Sequence, residues 1–279
     1  MYDFYFGTPE EIENDPEKWL LTIKRMLPRW PNGIPDSEYL ALYELLLSLE
    51  KEGAISNKAE TVIVETGSGA STVVLLYFAL KWDIELYTWD ISSTKLSYLR
   101  GLLTDTLMKH FSEKNIFNHW KYVAYDSKSE YVGIPLLSEL GKKVCLGFFD
   151  SDHTWNNLRG EISAVCPLMM DGGIVAIDDG NYRYKNVNSA YINMLRTRVG
   201  VGPVEIEGNE SAPFWEEVEA TLKPCFKNVK NLEGGSYRKN YKEDIFWSYY
   251  QADRSNMADL GMEKLGDLSH RFDAWKVCR

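Results

Sequence analysis

Five short, continuous apolar runs alternate with helical stretches between residues 61 and 177, and no feature of this chain narrows its fold more. The runs at 61–65, 84–89, 120–125, 144–149 and 174–177 are rich in Val, Ile, Leu, Phe, Tyr and Trp. Each is too short for an ordinary helix and too evenly apolar for a strand with one wet face. Strands of this kind are covered on both faces, which is the condition of a parallel sheet. The stretches at 71–81, 93–111, 136–140 and 155–169 read as the crossover helices, with Gly172-Gly173 a tight turn into the fifth strand. Right-handed crossovers then give an α/β, doubly wound sheet, whose ligands sit at the carboxyl ends of its strands.

The flanks are less regular. Thr8-Pro9-Glu10-Glu11 has the form of a helix start, with Thr8 as cap, Pro9 in the first turn and Glu11 closing a capping box. A helix is expected to about Met26, with a reset at Asp15-Pro16. Residues 27–35 hold three prolines and a glycine and read as a loop, which either joins two helices or lies over a ligand. Asp36 or Ser37 starts a second helix, with Tyr39, Leu42, Tyr43, Leu46 and Leu49 on one face and Gly53 ending it. Beyond Asp179, helices are expected at 187–197 and 215–222 and strands at 244–250 and 272–277. The whole reads as one domain: a helical cap over 1–58, a ligand-binding core over 59–180, and a substrate-side elaboration over 181–279 that carries the last two strands.

Composition narrows the partners. With 31 Lys+Arg against 41 Asp+Glu, the net charge is −10. That balance disfavours nucleic acid and anionic membrane as partners, since both call for a positive field. The longest apolar run, Val73 to Leu80, is far too short to span a bilayer. The acidic N-terminus does not read as a secretory signal, so a cytoplasmic location is expected. The four cysteines, Cys145, Cys166, Cys225 and Cys278, have no paired spacing and read as reduced structural thiols, with neither a disulfide framework nor a zinc site. A small molecule is left as the expected partner, with a second copy of the chain also allowed.

The first strand runs into Glu65-Thr66-Gly67-Ser68-Gly69-Ala70-Ser71-Thr72. Glycines there allow a sharp turn and a close approach of the backbone to a ligand. A dinucleotide fingerprint wants a third glycine where Thr72 stands, and Glu65 would repel a phosphate. An adenosine without phosphates fits better. The second strand ends in Asp90, where a carboxylate can accept hydrogen bonds from both ribose hydroxyls. The third ends in Asp126-Ser127, where an acid can face an adenine amino group. Singly, each of these also reads as a turn or a helix cap.

Together with Phe149-Asp-Ser-Asp-His153 and Leu168-Met-Met-Asp-Gly-Gly-Ile-Val-Ala-Ile-Asp-Asp179, this ordered set resembles the class I S-adenosylmethionine-dependent methyltransferases. The resemblance covers residues 61–179. It implies a Rossmann-like sheet of seven strands, the last antiparallel, with the two late strands as sixth and seventh. It also implies that S-adenosylmethionine lies against Glu65, Gly67, Ser68, Gly69 and Ser71 at its methionine end. Asp90 would hold the ribose and Asp126 and Ser127 would border the adenine, with Ile91 and Asp150 also among the cofactor-binding residues.

Asp150-Ser151-Asp152-His153 ends the fourth strand and Asp178-Asp179 the fifth. Neighbouring strands would bring these carboxylates to one edge, where their repulsion favours a bridging cation. Oxygen donors with room for water suit Mg²⁺ or Ca²⁺. This part resembles the metal-dependent O-methyltransferases of the catechol and macrolide-sugar types. That resemblance makes Asp150, Asp178 and Asp179 the metal ligands and His153, or Asp150, the base that takes the acceptor proton. Asp179 stands where the catechol type has Asn, which brings the sugar type closer. A metal-free reading, with Asp150 and Asp179 capping turns and His153 packed near Trp155, fits the same residues. Rival readings are a glycosyltransferase using Asp150-Ser151-Asp152 as a D-x-D cation site, a nicotinamide-dependent oxidoreductase, and a non-catalytic cofactor-binding protein.

Overall fold

A computed structural model describes residues 7–34, 36–55, 57–152, 155–178, 196–202, 221–222, 225, 228–231 and 273–278. Its sheet runs β3-β2-β1-β4-β5-β7-β6. The first five strands are β1 Thr61–Thr66, β2 Glu85–Trp89, β3 Trp120–Val123, β4 Lys143–Phe149 and β5 Met169–Ile177, all mutually parallel. β6 is Asn228–Asn231 and β7 is Asp273–Cys278, with β7 antiparallel to both β5 and β6. The strand order reverses between β1 and β4, so the ligand crevice of a doubly wound sheet falls there.

The helices are α1 Pro9–Asn14, α2 Pro16–Arg25, α3 Asp36–Lys51, α4 Ala70–Trp82, α5 Ser93–Asp105, α6 Leu107–His110, α7 Ile116–His119, α8 Leu136–Glu139 and α9 Trp155–Val165. The Thr8–Glu11 capping box is present, and Asp15 caps α2 through the Lys18 amide. Alternate strand residues feed two cores. Ile63, Leu86, Leu146 and Ile174 pack with α2 to α7, including an α4 that is buried along nearly its whole length. Val62, Val64, Trp89, Val175 and Ile177 pack with α8 and α9 through Leu137, Leu158, Ile162 and Val165. A side chain's parity along β1 therefore decides which helix layer it meets. Lys24 and Arg25 of α2 both bridge to Asp36 at the start of α3, each at 2.8 Å, and close the α2–α3 loop into a tight hairpin.

Several expectations are corrected. Among the described residues the sixth strand is Asn228–Asn231; residues 244–250 lie outside the described residues, as do 187–195 and 215–220 of the helices expected at 187–197 and 215–222, whose remaining residues 196–197 and 221–222 are helical. The helix expected over 93–111 breaks at Thr106 into α5 and α6, and α7 adds a turn before β3. α9 stops at Val165 because Pro167 cannot continue the hydrogen-bond ladder, and a 3-10 turn over Cys166–Leu168 follows. β5 begins at Met169: Val144 pairs with Met169 and Leu146 with Ile174, so Gly172, at φ +75°, bulges within the strand instead of turning before it. Cys166 and Cys225 are joined as a disulfide with Cα atoms 6.4 Å apart, against the expectation of four reduced thiols. Spacing along the chain could not show this, because the two meet only after α9 and β6 have packed. Cys145 and Cys278 are free, and burial pushes the Cys145 thiol up to about 12. Among the described residues, no helix is long and apolar enough to cross a membrane.

Candidate active site

The turn after β1 is held from three sides. The Gly67 amide donates to the Trp89 carbonyl of β2 at 2.8 Å, and the Asp150 amide donates to the Thr66 carbonyl at 2.9 Å. Gly67 has φ +77°, and a Cβ there would sit 1.7 Å from the Asp150 carbonyl oxygen. A Cβ on Gly69 would sit 2.5 Å from the Pro31 carbonyl oxygen. The close approach these glycines allow is therefore, in the first place, to the protein's own backbone. The 27–35 loop does reach the glycine turn: Pro31 lies on Gly69, and the Trp30 ring packs on Tyr98 of α5 at 5.6 Å.

Asp90 locks the same turn. Its Oδ2 accepts from the Ser68 amide at 2.8 Å and the Ser68 hydroxyl at 2.7 Å, and Lys95 lies 3.1 Å away. Its Oδ1 accepts from the Ser92 amide at 2.7 Å. Burial works to raise the Asp90 pKa, but the Ser68 and Ser92 hydrogen bonds and the Lys95 charge outweigh it and hold the carboxyl below its ordinary value. Beyond Asp90, Ile91 is 86% exposed, an apolar side chain standing open at the crevice edge. Glu65 lies below the turn, wholly buried. It accepts from Ser71 Oγ at 2.6 Å, Thr72 Oγ1 at 2.9 Å and Thr88 Oγ1 at 2.8 Å. Thr72 Oγ1 in turn receives the Gly69 amide at 3.0 Å. Burial drives the Glu65 pKa up to about 7 against the pull of the three hydroxyls.

On the opposite face stands a residue that motif reading missed. Glu161 of α9 is 1% exposed. Its Oε1 accepts from Ser127 Oγ at 2.6 Å and Ser151 Oγ at 2.7 Å, and its Oε2 from Thr66 Oγ1 at 3.2 Å. Burial raises its pKa, and these hydroxyls with Lys128 oppose the rise. The signal was present in the helix: Leu158, Ile162 and Val165 form its apolar stripe, and Glu161 falls on that stripe. The Ser127 hydroxyl is thus turned inward, as the Ser71 hydroxyl is on the other face. Asp126 is exposed and accepts from the Lys128 amide at 2.8 Å.

The Asp178 amide donates to the Phe149 carbonyl at 3.0 Å, which sets Asp178 beside Asp150 at the ends of β5 and β4. Among the described residues, Asp178 Oδ1 is buried without a hydrogen-bond partner, the kind of acceptor that a ligand, water or cation completes. An oxygen donor of this sort fits Mg²⁺. His153 and Asp179 lie outside the described residues, as do residues 182–185 and 238–242. Among the described residues, no group of three or more His, Cys, Asp or Glu is gathered for a metal.

Residues 64–180 match a family model described as a methyltransferase domain. Among curated proteins, the chain is 23% identical over 195 residues to a formamidopyrimidine-DNA glycosylase of Alteromonas mediterranea, covering 70% of this chain and 65% of that one. It is thus similar to less than two thirds of that relative's length. A glycosylase of the same name from Edwardsiella ictaluri is 22% identical over 226 residues, 80% of this chain and 74% of its own. Among solved structures, a TDP-rhamnose 3'-O-methyltransferase of calicheamicin biosynthesis is 16% identical, covering 61% of this chain and 78% of its own at a TM-score of 0.38. A geranyl diphosphate methyltransferase in complex with S-adenosylmethionine is 11% identical, covering 98% and 92% at a TM-score of 0.44.

Proposed function

We propose that residues 64–180 form a class I, S-adenosylmethionine-dependent methyltransferase domain, and that the chain methylates an oxygen of a small hydroxylated acceptor such as a sugar. The observation that carries the reading is the buried Asp178 oxygen at the end of β5, without a partner among the described residues and beside the Asp150 end of β4 that borders the switch point. Such an edge suits an acceptor that brings hydroxyl donors or a cation.

The Gly67–Gly69 turn would hold the cofactor. The Ser68, Ser71 and Ser127 hydroxyls are committed to Asp90, Glu65 and Glu161, and the Gly67, Ser68 and Gly69 amides to Trp89, Asp90 and Thr72, so the turn would offer the methionine end its carbonyl oxygens, which suit an ammonium group. Asp90 Oδ1, which accepts from the Ser92 amide alone among the hydrogen bonds above, would take a ribose hydroxyl, and exposed Ile91 would cover the adenosine. S-adenosylmethionine, when bound, supplies an electrophilic methyl on a sulfonium sulfur. The protein's part is to line up the acceptor oxygen with that methyl and to exclude water, so that positioning lowers the barrier. His153, or Asp150, takes the hydroxyl proton; neutral imidazole has a suitable pKa for this. Asp150, Asp178 and Asp179 would hold Mg²⁺, which lowers the pKa of a bound hydroxyl. The D-x-D glycosyltransferase and nicotinamide readings give way to this one. A DNA substrate, which the names of the two curated relatives bring to mind, fits poorly with a net charge of −10.

Titration calorimetry with S-adenosylhomocysteine tests the cofactor, and a thermal shift at saturating ligand is expected by linkage. No heat and no shift would sink the reading. The cation is tested by EDTA and by Asp178→Asn once an acceptor is found; full activity in both would remove Mg²⁺ from the account.

A further inference from the structure

We propose that Glu161 is a positioning residue that locks the loop after β3 to the loop after β4, so that the adenosine side and the acceptor side of the crevice are set together. This rests on the methyltransferase reading for the meaning of the two sides.

The geometry is specific. Ser127 follows Asp126 in the loop after β3, and Ser151 follows Asp150 in the loop after β4. Both donate to the same oxygen of Glu161, at 2.6 and 2.7 Å. The other oxygen takes Thr66, the last residue of β1. One carboxylate thus joins the ends of three strands. A second arm runs outside the first. Asn157 Nδ2 of α9 donates to Ser151 Oγ at 2.7 Å, and Asn157 Oδ1 accepts from Lys128 Nζ, the residue after Ser127. Gly160 makes room for this arm, since a Cβ there would lie 2.5 Å from Lys128 Cδ. The β3 loop is compact enough to transmit a pull: the Ile134 amide donates to the Ser127 carbonyl at 2.7 Å.

Packing alone does not call for an acid here. Leu158, Ile162 and Val165 surround the position, and burying a carboxylate among them carries a desolvation cost that a leucine avoids. What the acid adds is direction. Two serines sharing one oxygen cannot move independently without losing a charge-assisted hydrogen bond.

The test uses the full chain with S-adenosylhomocysteine as probe. Ser127→Ala, Ser151→Ala and the double variant are compared by calorimetry and by amide exchange. We expect each single variant to weaken binding roughly tenfold, as loss of a hydrogen bond to a charged group would. The double variant should fall well short of the product of the two. Ser151→Ala, though on the acceptor side, should speed exchange at Ile134. A melting temperature that falls while affinity and Ile134 exchange stay unchanged would overturn the proposal, as would additive losses. Should Ser127→Ala fail to fold, Lys128→Met cuts only the outer arm and should still speed exchange at the Asp150 amide; an unchanged rate there counts against the lock. If the wild type binds no S-adenosylhomocysteine, the cofactor reading fails, while the exchange comparison still decides whether the loops are coupled.

Discussion

Two buried glutamates stand on opposite faces of the same strand end, and they do different things. Glu65 belongs to β1 itself and gathers Ser71, Thr72 and Thr88, two of them within one helical turn of the glycines. It stabilises the turn locally, under α4. Glu161 arrives from a distant helix and gathers Thr66, Ser127 and Ser151, which lie in three separate segments. It organises the relation between loops. Both are acids that burial would neutralise and hydroxyl donors keep in use. The contrast teaches that similar chemistry serves a fixed turn on one face and a joint between loops on the other. Residues 65 and 66 point to opposite faces, so the strand's own alternation divides the two roles.

The harshest way to break this arrangement is at Gly67, where both regions meet. Gly67→Ala adds a Cβ 1.7 Å from the Asp150 carbonyl oxygen, at φ +77°. Urea denaturation should show a loss of about 4 kcal/mol or failure to fold, well beyond typical substitutions. Gly141→Ala is the control: it has φ +66° but nothing within 4 Å, and should lose only about 1 kcal/mol. Similar losses for the two would mean that the β4 contact does not matter.

Truncating the acids comes next. Glu65→Ala and Glu161→Ala each strand hydroxyls inside the core, and each should lower the unfolding free energy by about 3 kcal/mol. Amide exchange separates them: the first should loosen Gly69 and the start of α4, the second the loops at Asp150 and Ile134. If both variants loosen the same amides, the division between local and connecting roles is wrong.

A gentler test uses pH. Glu65 has its pKa raised from an ordinary 4.5 to about 7 in the folded chain. The folded state therefore holds a proton that the unfolded state has already lost between those values. Its contribution is full below about 4.5 and is lost as pH rises through 7. The stability of the wild type relative to Glu65→Gln should fall across that window and then level off. Glu161→Gln should give a difference of the same sign, starting above 4.5. A rise with pH in either difference would show that the acid is ionised and favourably held throughout.

The smallest effect is expected at the rim. Trp30→Ala removes the packing on Tyr98 and should lower stability by about 1 kcal/mol. It should also speed exchange at Gly69, because the neighbouring Pro31 carbonyl lies against that glycine. An unchanged Gly69 rate would reduce the 27–35 loop to a simple connection between helices.

Legibility in the sequence followed locality. β1, β2 and β4 stood out because their side chains are apolar on both faces, and Glu65, Gly67, Gly69 and Asp90 because they fall at strand ends in a short, ordered string. The bulge in β5 was hidden, since Gly172-Gly173 before an apolar run reads equally well as a turn. The Cys166–Cys225 pair and Glu161 were hidden for another reason: each depends on partners far away along the chain. Glu161 did leave a trace, an acid on the apolar stripe of α9, but a stripe says that a residue is inward, not what it meets there.

By itself, then, the sequence determined a parallel, doubly wound core, the strand ends at which Glu65, Asp90, Asp150 and Asp178 fall, and the glycine turn. All of these follow from short-range periodicity and from which residues tolerate a turn. Only the tertiary structure decided that the glycines yield first to the Asp150 and Pro31 backbones, that Ser71 and Ser127 turn inward, and that a helix acid ties three strand ends together. Those outcomes depend on distances between segments, and desolvation inside a packed core sets the worth of each contact once the segments have met.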